Sequence, residues 1–345
     1  MKYIVGYSMR GDSRFVGDII LSKDHISEVY FSFGDFASGR RSLTDDGEST
    51  LFERQLAMDE DLRRMSGCGI EFNLLFNANC YGRDSQSRAF YHKIGSTVDL
   101  VRSRYGLSSV TVASPLIARF IKSNFEGLDV RASVNMEIGS VEGVSYVESY
   151  FDSFYVKREI NRDMRELLRI KEYCDSRGKR IYLLANSGCL RNCSAHIFHD
   201  NLVAHEAQIS AMDNGYEFTG VCRDYLSTDE GLSRWLERTT FIRPEDVELY
   251  KGITSAMKLA TRINPNPSRI LSAYTNRSYG GSAMELLEPD HSGLVYPKYV
   301  DNSRISSEYM AAVLECDKHC DECQRCRQVM AEATVTLGED SSLKV

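Results

Sequence analysis

Seven short runs rich in β-branched and aromatic residues lie at 3–7, 28–33, 72–76, 109–113, 130–134, 153–156 and 180–184. Between them run longer stretches whose apolar residues recur at helical spacing, at 51–65, 91–104, 115–124, 144–150 and 162–175. Strands that alternate with helices imply a parallel sheet, because parallel neighbours need a crossover connection. Such a sheet is covered on both faces, and 42% hydrophobic residues in a chain of 345 suffice to cover it. Further β-type runs at 240–242 and 256–260 each offer an eighth strand. The expected fold is therefore an α/β, TIM-like (β/α)8 barrel, with a doubly wound open sheet as runner-up. No GxGxxG follows the first run, which disfavours the open dinucleotide-binding form. Barrels of this class run to about 250 residues or more. The expected division is a barrel over 1–290 and a Cys-rich extension over 291–345.

In a barrel the functional face carries the residues that follow each strand. Those exits hold Asn77, Asn79 and Cys80, Ser114, Asn135 and Glu137, Lys157, Arg158 and Glu159, Asn186 and Cys189, Arg243 and Glu245, and Lys258 and Arg262. A solvated loop or a helix cap explains any one of these polar residues; their convergence is what points to a site. After the seventh run comes a stretch of roughly fifty residues, longer than an ordinary βα connection. It carries Cys189, Cys193, His196, His199, His205 and Cys222. Long insertions on this face tend to carry binding or chemistry. The formal charge of −7 argues against a general nucleic-acid surface. No run of about 18 apolar residues is present, and the opening MKYIVGY reads as a strand rather than a signal peptide, so the expected location is the cytoplasm.

Ten cysteines in a reducing compartment are read first as metal ligands. Cys189 and Cys193, four residues apart just past a strand, point the same way if the segment turns helically, and Cys222 supplies a third thiol. Cys80, on the same face, is the preferred fourth, whereas Cys68 and Cys174 read as small buried hydrophobes. A second set, Cys316, Cys320, Cys323 and Cys326, is spaced C-x3-C-x2-C-x2-C, as in compact cluster-binding segments, and four thiolates also complete a zinc tetrahedron. The segment HIFHDNLVAHE does not match HExxH, so His196, His199 and His205 read as hydrogen-bonding residues as readily as ligands.

Four segments resemble the collagenase-like peptidase family, the U32 peptidases: LLANSGCLRNC at 183–193, IRPED at 242–246, KRE at 157–159, and KLATR at 258–262, the last similar to the family's K-I-x-G-R. The resemblance spans residues 70 to 280. It implies a TIM-like barrel and, as in several members, a [4Fe–4S] cluster held by four cysteines. It also implies kinship with oxygen-independent hydroxylases of ubiquinone precursors and RNA bases. The chain departs from the family pattern in its C-x3-C spacing, where C-x6-C is usual, and in its four-cysteine tail.

The leading functional expectation is an iron–sulphur enzyme with one or two [4Fe–4S] clusters, zinc being the alternative at the tail. It would oxidise, reduce or hydroxylate a small aromatic, nucleobase or peptide substrate, served by an electron-donor protein. Glu137, Glu159 and Lys258 are its expected catalytic residues, with Asn79, Asn135, Lys157, Arg158, Arg243 and Arg262 on the substrate. Peptide hydrolysis is the second expectation, although no GxSxG or HExxH is present. A non-catalytic metal scaffold, with an acidic ending at Glu332, Glu339 and Asp340, is the third. The tail spacing also matches a radical S-adenosylmethionine motif, but at the wrong end of the chain.

Overall fold

The computed structural model describes residues 1–9, 14–38 and 50–338; Glu339 and Asp340 lie outside them. Eight parallel strands close into a barrel in sequence order: β1 (Lys2–Gly6), β2 (Ile26–Phe31), β3 (Phe72–Phe76), β4 (Ser109–Val112), β5 (Asp129–Ala132), β6 (Ser153–Tyr155), β7 (Arg180–Leu184) and β8 (Ala256–Leu259). β8 seals the ring by pairing with β7 at Leu184↔Lys258 and with β1 at Ile4↔Lys258. The expected barrel is thus present, and the eighth strand is the run near 256. The run at 240–242 instead lies against the exit of β7, where Ile242 N–H donates to Ala185 C=O at 2.8 Å.

Local chemistry sets the surrounding helices α1 (Arg14–Leu21), α2 (Leu51–Gly67), α3 (Arg88–Tyr105), α4 (Pro115–Asn124), α5 (Val141–Ser145) and α6 (Met164–Ser176). Ser87, Ser114 and Asp163 each accept the backbone N–H three residues on, which satisfies one orphan donor of the first turn. Pro115 opens α4 where its missing N–H costs nothing. The strands are buried on both faces, as a parallel sheet requires. Ile4, Tyr30, Leu75, Tyr155, Tyr182 and Leu184 fill the barrel's interior. Towards the strand starts, Arg131 donates to Glu28 at 2.5 Å, Ser109 donates to Glu28 at 3.0 Å, and Asn73 donates to Ser109 at 2.7 Å. That end of the interior is a satisfied polar network rather than an opening.

The C-terminal stretch packs on the barrel's flank and carries a two-stranded antiparallel ribbon, β9 (Lys298–Val300) with β10 (Thr334–Thr336). Buried Arg162 donates to Leu236 C=O at 2.6 Å and to the Tyr309 hydroxyl at 2.8 Å. Arg234 and Arg327 both donate to buried Glu237, at 2.9 and 2.5 Å. Among the described residues no helix is long and apolar enough to cross a membrane.

Candidate functional site

The polar strand exits meet at the carboxyl end of the barrel. After β5, Ser133 accepts the Asn135 N–H and starts a tight turn that closes with Glu137 N–H donating to Val134 C=O at 3.1 Å. Glu137 ends the turn in the left-handed region, φ 54°, a conformation that a non-glycine residue adopts at a cost. The turn aims the Glu137 carboxylate into the mouth, 3.8 Å from Arg158 Nη2 and 3.6 Å from His196 Nδ1. Arg158 is buried, and its Nη1 donates to Cys189 Sγ at 3.1 Å. Beside Arg158, Glu159 completes a group in which one donor atom each from Glu137, Glu159 and His196 lies within 4.8 Å of the other two.

His196 opens α7 (His196–Ala204), and one turn on, Asp200 Oδ2 stands 3.2 Å from its Nε2. Asn79 donates to the same carboxylate at 3.4 Å, which ties the β3 exit to the insertion. Asn135 donates to Asn77 C=O at 2.9 Å. Burial raises the pKa of Glu137 despite the opposing pull of Arg158. The Asp200 carboxylate raises that of His196 against burial. A carboxylate that holds a proton more readily than usual, beside a ready imidazolium, is a proton-handling pair.

Of the other expected residues, Lys157 lies along a small cleft of about 350 Å³ that also borders Glu137. A Cβ on Gly139 would sit 2.3 Å from the Lys157 stem, so any side chain there would displace Lys157. Arg262 donates to Ser32 and Ser38 at 3.0 and 3.3 Å. Arg243 braces the fold: it donates to both Asp246 oxygens at 2.7 and 2.9 Å and to the carbonyls of Asn302, Ile305 and Ser306. Those five acceptors match the five donors of a guanidinium. Lys258 stands deeper, its Nζ 4.1 Å over the Tyr30 ring and 4.7 Å over that of Tyr155. Burial pushes its pKa down to about 7. Its principal charged neighbours are Arg262, Glu28, Arg131 and Glu288, so it belongs to the barrel interior more than to the Glu137 group.

The thiols gather in two places. The Cys222 thiol is pushed up to about 11 by burial and by Cys189 and Cys193, and Cys193 also feels Glu159 and Arg158. Cys80 lies beside Asn79 on the rim and accepts the Gly82 N–H at 3.4 Å. In the tail, Cys326 accepts from the Tyr309 hydroxyl at 3.3 Å and feels Cys320 and Cys316, while Cys323 is exposed. Arg191 Nη2 reaches Cys320 Sγ at 3.9 Å. Cys174 is buried in the core as expected of a small hydrophobe, and all ten cysteines are free.

The chain is 27% identical over 317 residues to the uncharacterized protease MJ1657 of Methanocaldococcus jannaschii, covering 89% of this chain and 88% of that protein. It superposes on the U32 peptidase Mk0906 with a TM-score of 0.53 at 14% identity, over 75% of this chain and 91% of that one. The chain is thus similar in sequence to a protein named as a protease and shares its fold with a U32 peptidase. No protein-family model matches it. In this chain the segments that carried the resemblance line the mouth: KRE supplies Arg158 and Glu159, and LLANSGCLRNC supplies the thiol that Arg158 holds. IRPED, through Arg243 and Asp246, instead anchors the C-terminal stretch. Sequence reasoning missed Asp200 and left His196 undecided; their i, i+4 spacing just after the cysteine pair was the available signal.

Proposed function

We propose that this chain hydrolyses amide bonds of peptides at the mouth of its barrel. The observation that carries the reading is the convergence of Glu137, Glu159 and His196 within 4.8 Å at the strand exits, in a chain related to proteins named as proteases. This is the second of the expectations drawn from the sequence, and the kinship supports it better than the redox one. A carboxylate of the pair takes a proton from the attacking water. Arg158, steadied by Cys189, faces the charge that develops on the carbonyl oxygen. His196, backed by Asp200, returns a proton to the leaving amine. An open groove of about 1890 Å³, lined by Phe36, Tyr81, Phe90, Lys93 and, from the insertion, residues 203–208 and Ser210, is wide enough for an extended polymer. The test is cleavage of fluorescent casein and of a peptide library. Glu137→Gln is expected to lower turnover about 10²–10⁴-fold, the usual contribution of a general base. No cleavage of any peptide by the wild type overturns the reading.

A second reading rests on the thiols. Cys189, Cys193 and Cys222 are half-buried and near enough to bear on one another electrostatically, thiols of the kind a soft metal or a [4Fe–4S] cluster takes, with Cys80 on the same rim; Cys316, Cys320, Cys323 and Cys326, of which Cys316 and Cys323 are exposed, are a second such set, for a cluster or zinc. A bound cluster would supply electron transfer, with a donor protein as partner, and Arg158 and Arg191 would offset thiolate charge. Ten free thiols fit a reducing, cytoplasmic setting. Iron, acid-labile sulphide and zinc contents of anaerobically purified wild type, Cys189→Ala and Cys323→Ala decide it: a loss of iron in Cys189→Ala supports the reading, and iron-free wild type removes it.

A further inference from the structure

We infer that Glu137, Glu159 and His196 form a mononuclear site for a divalent cation of the Mn2+ or Zn2+ kind. The placement stands on the geometry alone, whereas the ion's task rests on the hydrolysis proposed above: with the ion bound, the ion activates the water in place of a free carboxylate, and that water's proton goes to the leaving amine. Among the described residues this is the one group of three His, Cys, Asp or Glu side chains with ligand atoms all within 4.8 Å of one another. Glu137 Oε1 and Glu159 Oε2 are each buried with no hydrogen-bond partner, and His196 turns Nδ1 towards Glu137 at 3.6 Å and Nε2 towards Asp200. His196 is 9% exposed, and Asp200 at 3.2 Å holds Nε2 so that Nδ1 is the nitrogen turned to the carboxylates. Buried acceptors left unpaired cost free energy, and a shared cation satisfies both carboxylates while His196 Nδ1 completes the set.

The donor set also selects its ion. Ligand atoms about 2.0–2.2 Å from a metal stand roughly 3–3.5 Å apart, so side-chain rotations of about 1 Å close the observed spacing. Two carboxylates and an imidazole suit Mn2+, Zn2+ or Fe2+, whereas the neighbouring thiols of Cys189, Cys193 and Cys222 prefer softer ions. Three protein ligands leave positions for water, the arrangement of a catalytic rather than a structural site. The left-handed backbone at Glu137 holds one ligand in place from β5, Glu159 follows β6, and His196 comes from the insertion. Asp200 and Arg158 lie outside the ligand set and orient His196 and Glu137.

Mn2+ discriminates this site from the thiols, because sulphur ligands hold it weakly. Metal-stripped full-length protein is titrated with MnCl2 and followed by electron paramagnetic resonance. One Mn2+ per chain is expected, with affinity falling at least tenfold in Glu159→Gln and in His196→Gln and unchanged in Cys222→Ser. Paramagnetic broadening of histidine ring resonances in the wild type provides a check free of any folding defect: the ring of His196 should broaden before those of His92 and His205. Absence of Mn2+ binding, affinity that survives both ligand substitutions, or broadening at other histidines overturns the site. Stoichiometric Mn2+ at His196 without peptide cleavage leaves the site standing and removes the hydrolytic function. Cleavage by metal-free protein that binds no Mn2+ does the reverse.

Discussion

Lys258 enters the barrel interior from β8 with no carboxylate in ion-pairing range among the described residues, and two tyrosine rings take the place of a counter-ion. Cation–π attraction offsets only part of the cost of burying an ammonium. The pKa of about 7, against about 10.4 for a free lysine, has a definite consequence for stability. Between pH 7 and 10.4 the unfolded chain binds one proton more than the native chain, so native stability rises with pH across that window. Below pH 7 both states are protonated and the full penalty remains. By linkage that penalty is on the order of 4–5 kcal/mol. Lys258→Met, similar in volume, is expected to raise the melting temperature at pH 6–7 by several degrees and to flatten its rise between pH 7 and 10. Thermal melts across that range check this. A lower melting temperature in the variant at pH 6–7 would mean that the ring contacts outweigh the burial cost. Gly6 belongs to the same packing, since a Cβ there would come within 2.6 Å of the Tyr30 ring and 2.9 Å of Arg262.

At the scale of elements, the turn 158–162 serves two structures at once. Arg158 faces the mouth, whereas Arg162, four residues on, reaches the Tyr309 hydroxyl that donates to Cys326. The segment that opens with IRPED works similarly, because Arg243 fastens the 302–306 stretch by three backbone carbonyls. Removing one partner of a buried, fully satisfied ion pair leaves the other uncompensated. Arg243→Ala is therefore expected to destabilise the protein by about 3–5 kcal/mol, read from urea unfolding, and to open the 302–306 stretch to limited proteolysis. Unchanged proteolysis would place the anchoring elsewhere.

For the molecule as a whole, the chain after residue 290 covers charges that the barrel cannot satisfy alone. Arg162 and Glu237 have partners there in Tyr309 and Arg327, and Arg243 has its three carbonyls. A chain ending at residue 290 is expected to melt at least 10 °C below the full chain, or to be recovered insoluble, as differential scanning calorimetry or fractionation would show. A truncated protein with the full chain's melting temperature would make the extension an independent unit. The closed barrel also explains why the site stands where it does: the polar network of Glu28, Asn73, Ser109 and Arg131 fills the end towards the strand starts, leaving the strand exits and the insertion to form a concave surface.

Strands and helices were legible because their periodicities, two and 3.6 residues, are local properties written into the order of side chains. The same holds for the serine and aspartate caps and for the spacing of the two cysteine sets. Which run closes the barrel was not local. The 240–242 and 256–260 runs look alike, and only the second can pair with both β7 and β1. Arg243 illustrates the limit for single residues: a strand exit suggested a ligand contact, and burial plus five protein acceptors made it a brace. Glu137, Glu159 and His196 illustrate the limit for sites. They come from the exits of β5 and β6 and from the insertion after β7, and no spacing in the chain records that closure of the barrel sets them within 4.8 Å. The sequence by itself determined the repeating units and the residue types at their ends. The tertiary structure decided which of those residues meet, because proximity between distant segments arises only when the strands pair around a ring.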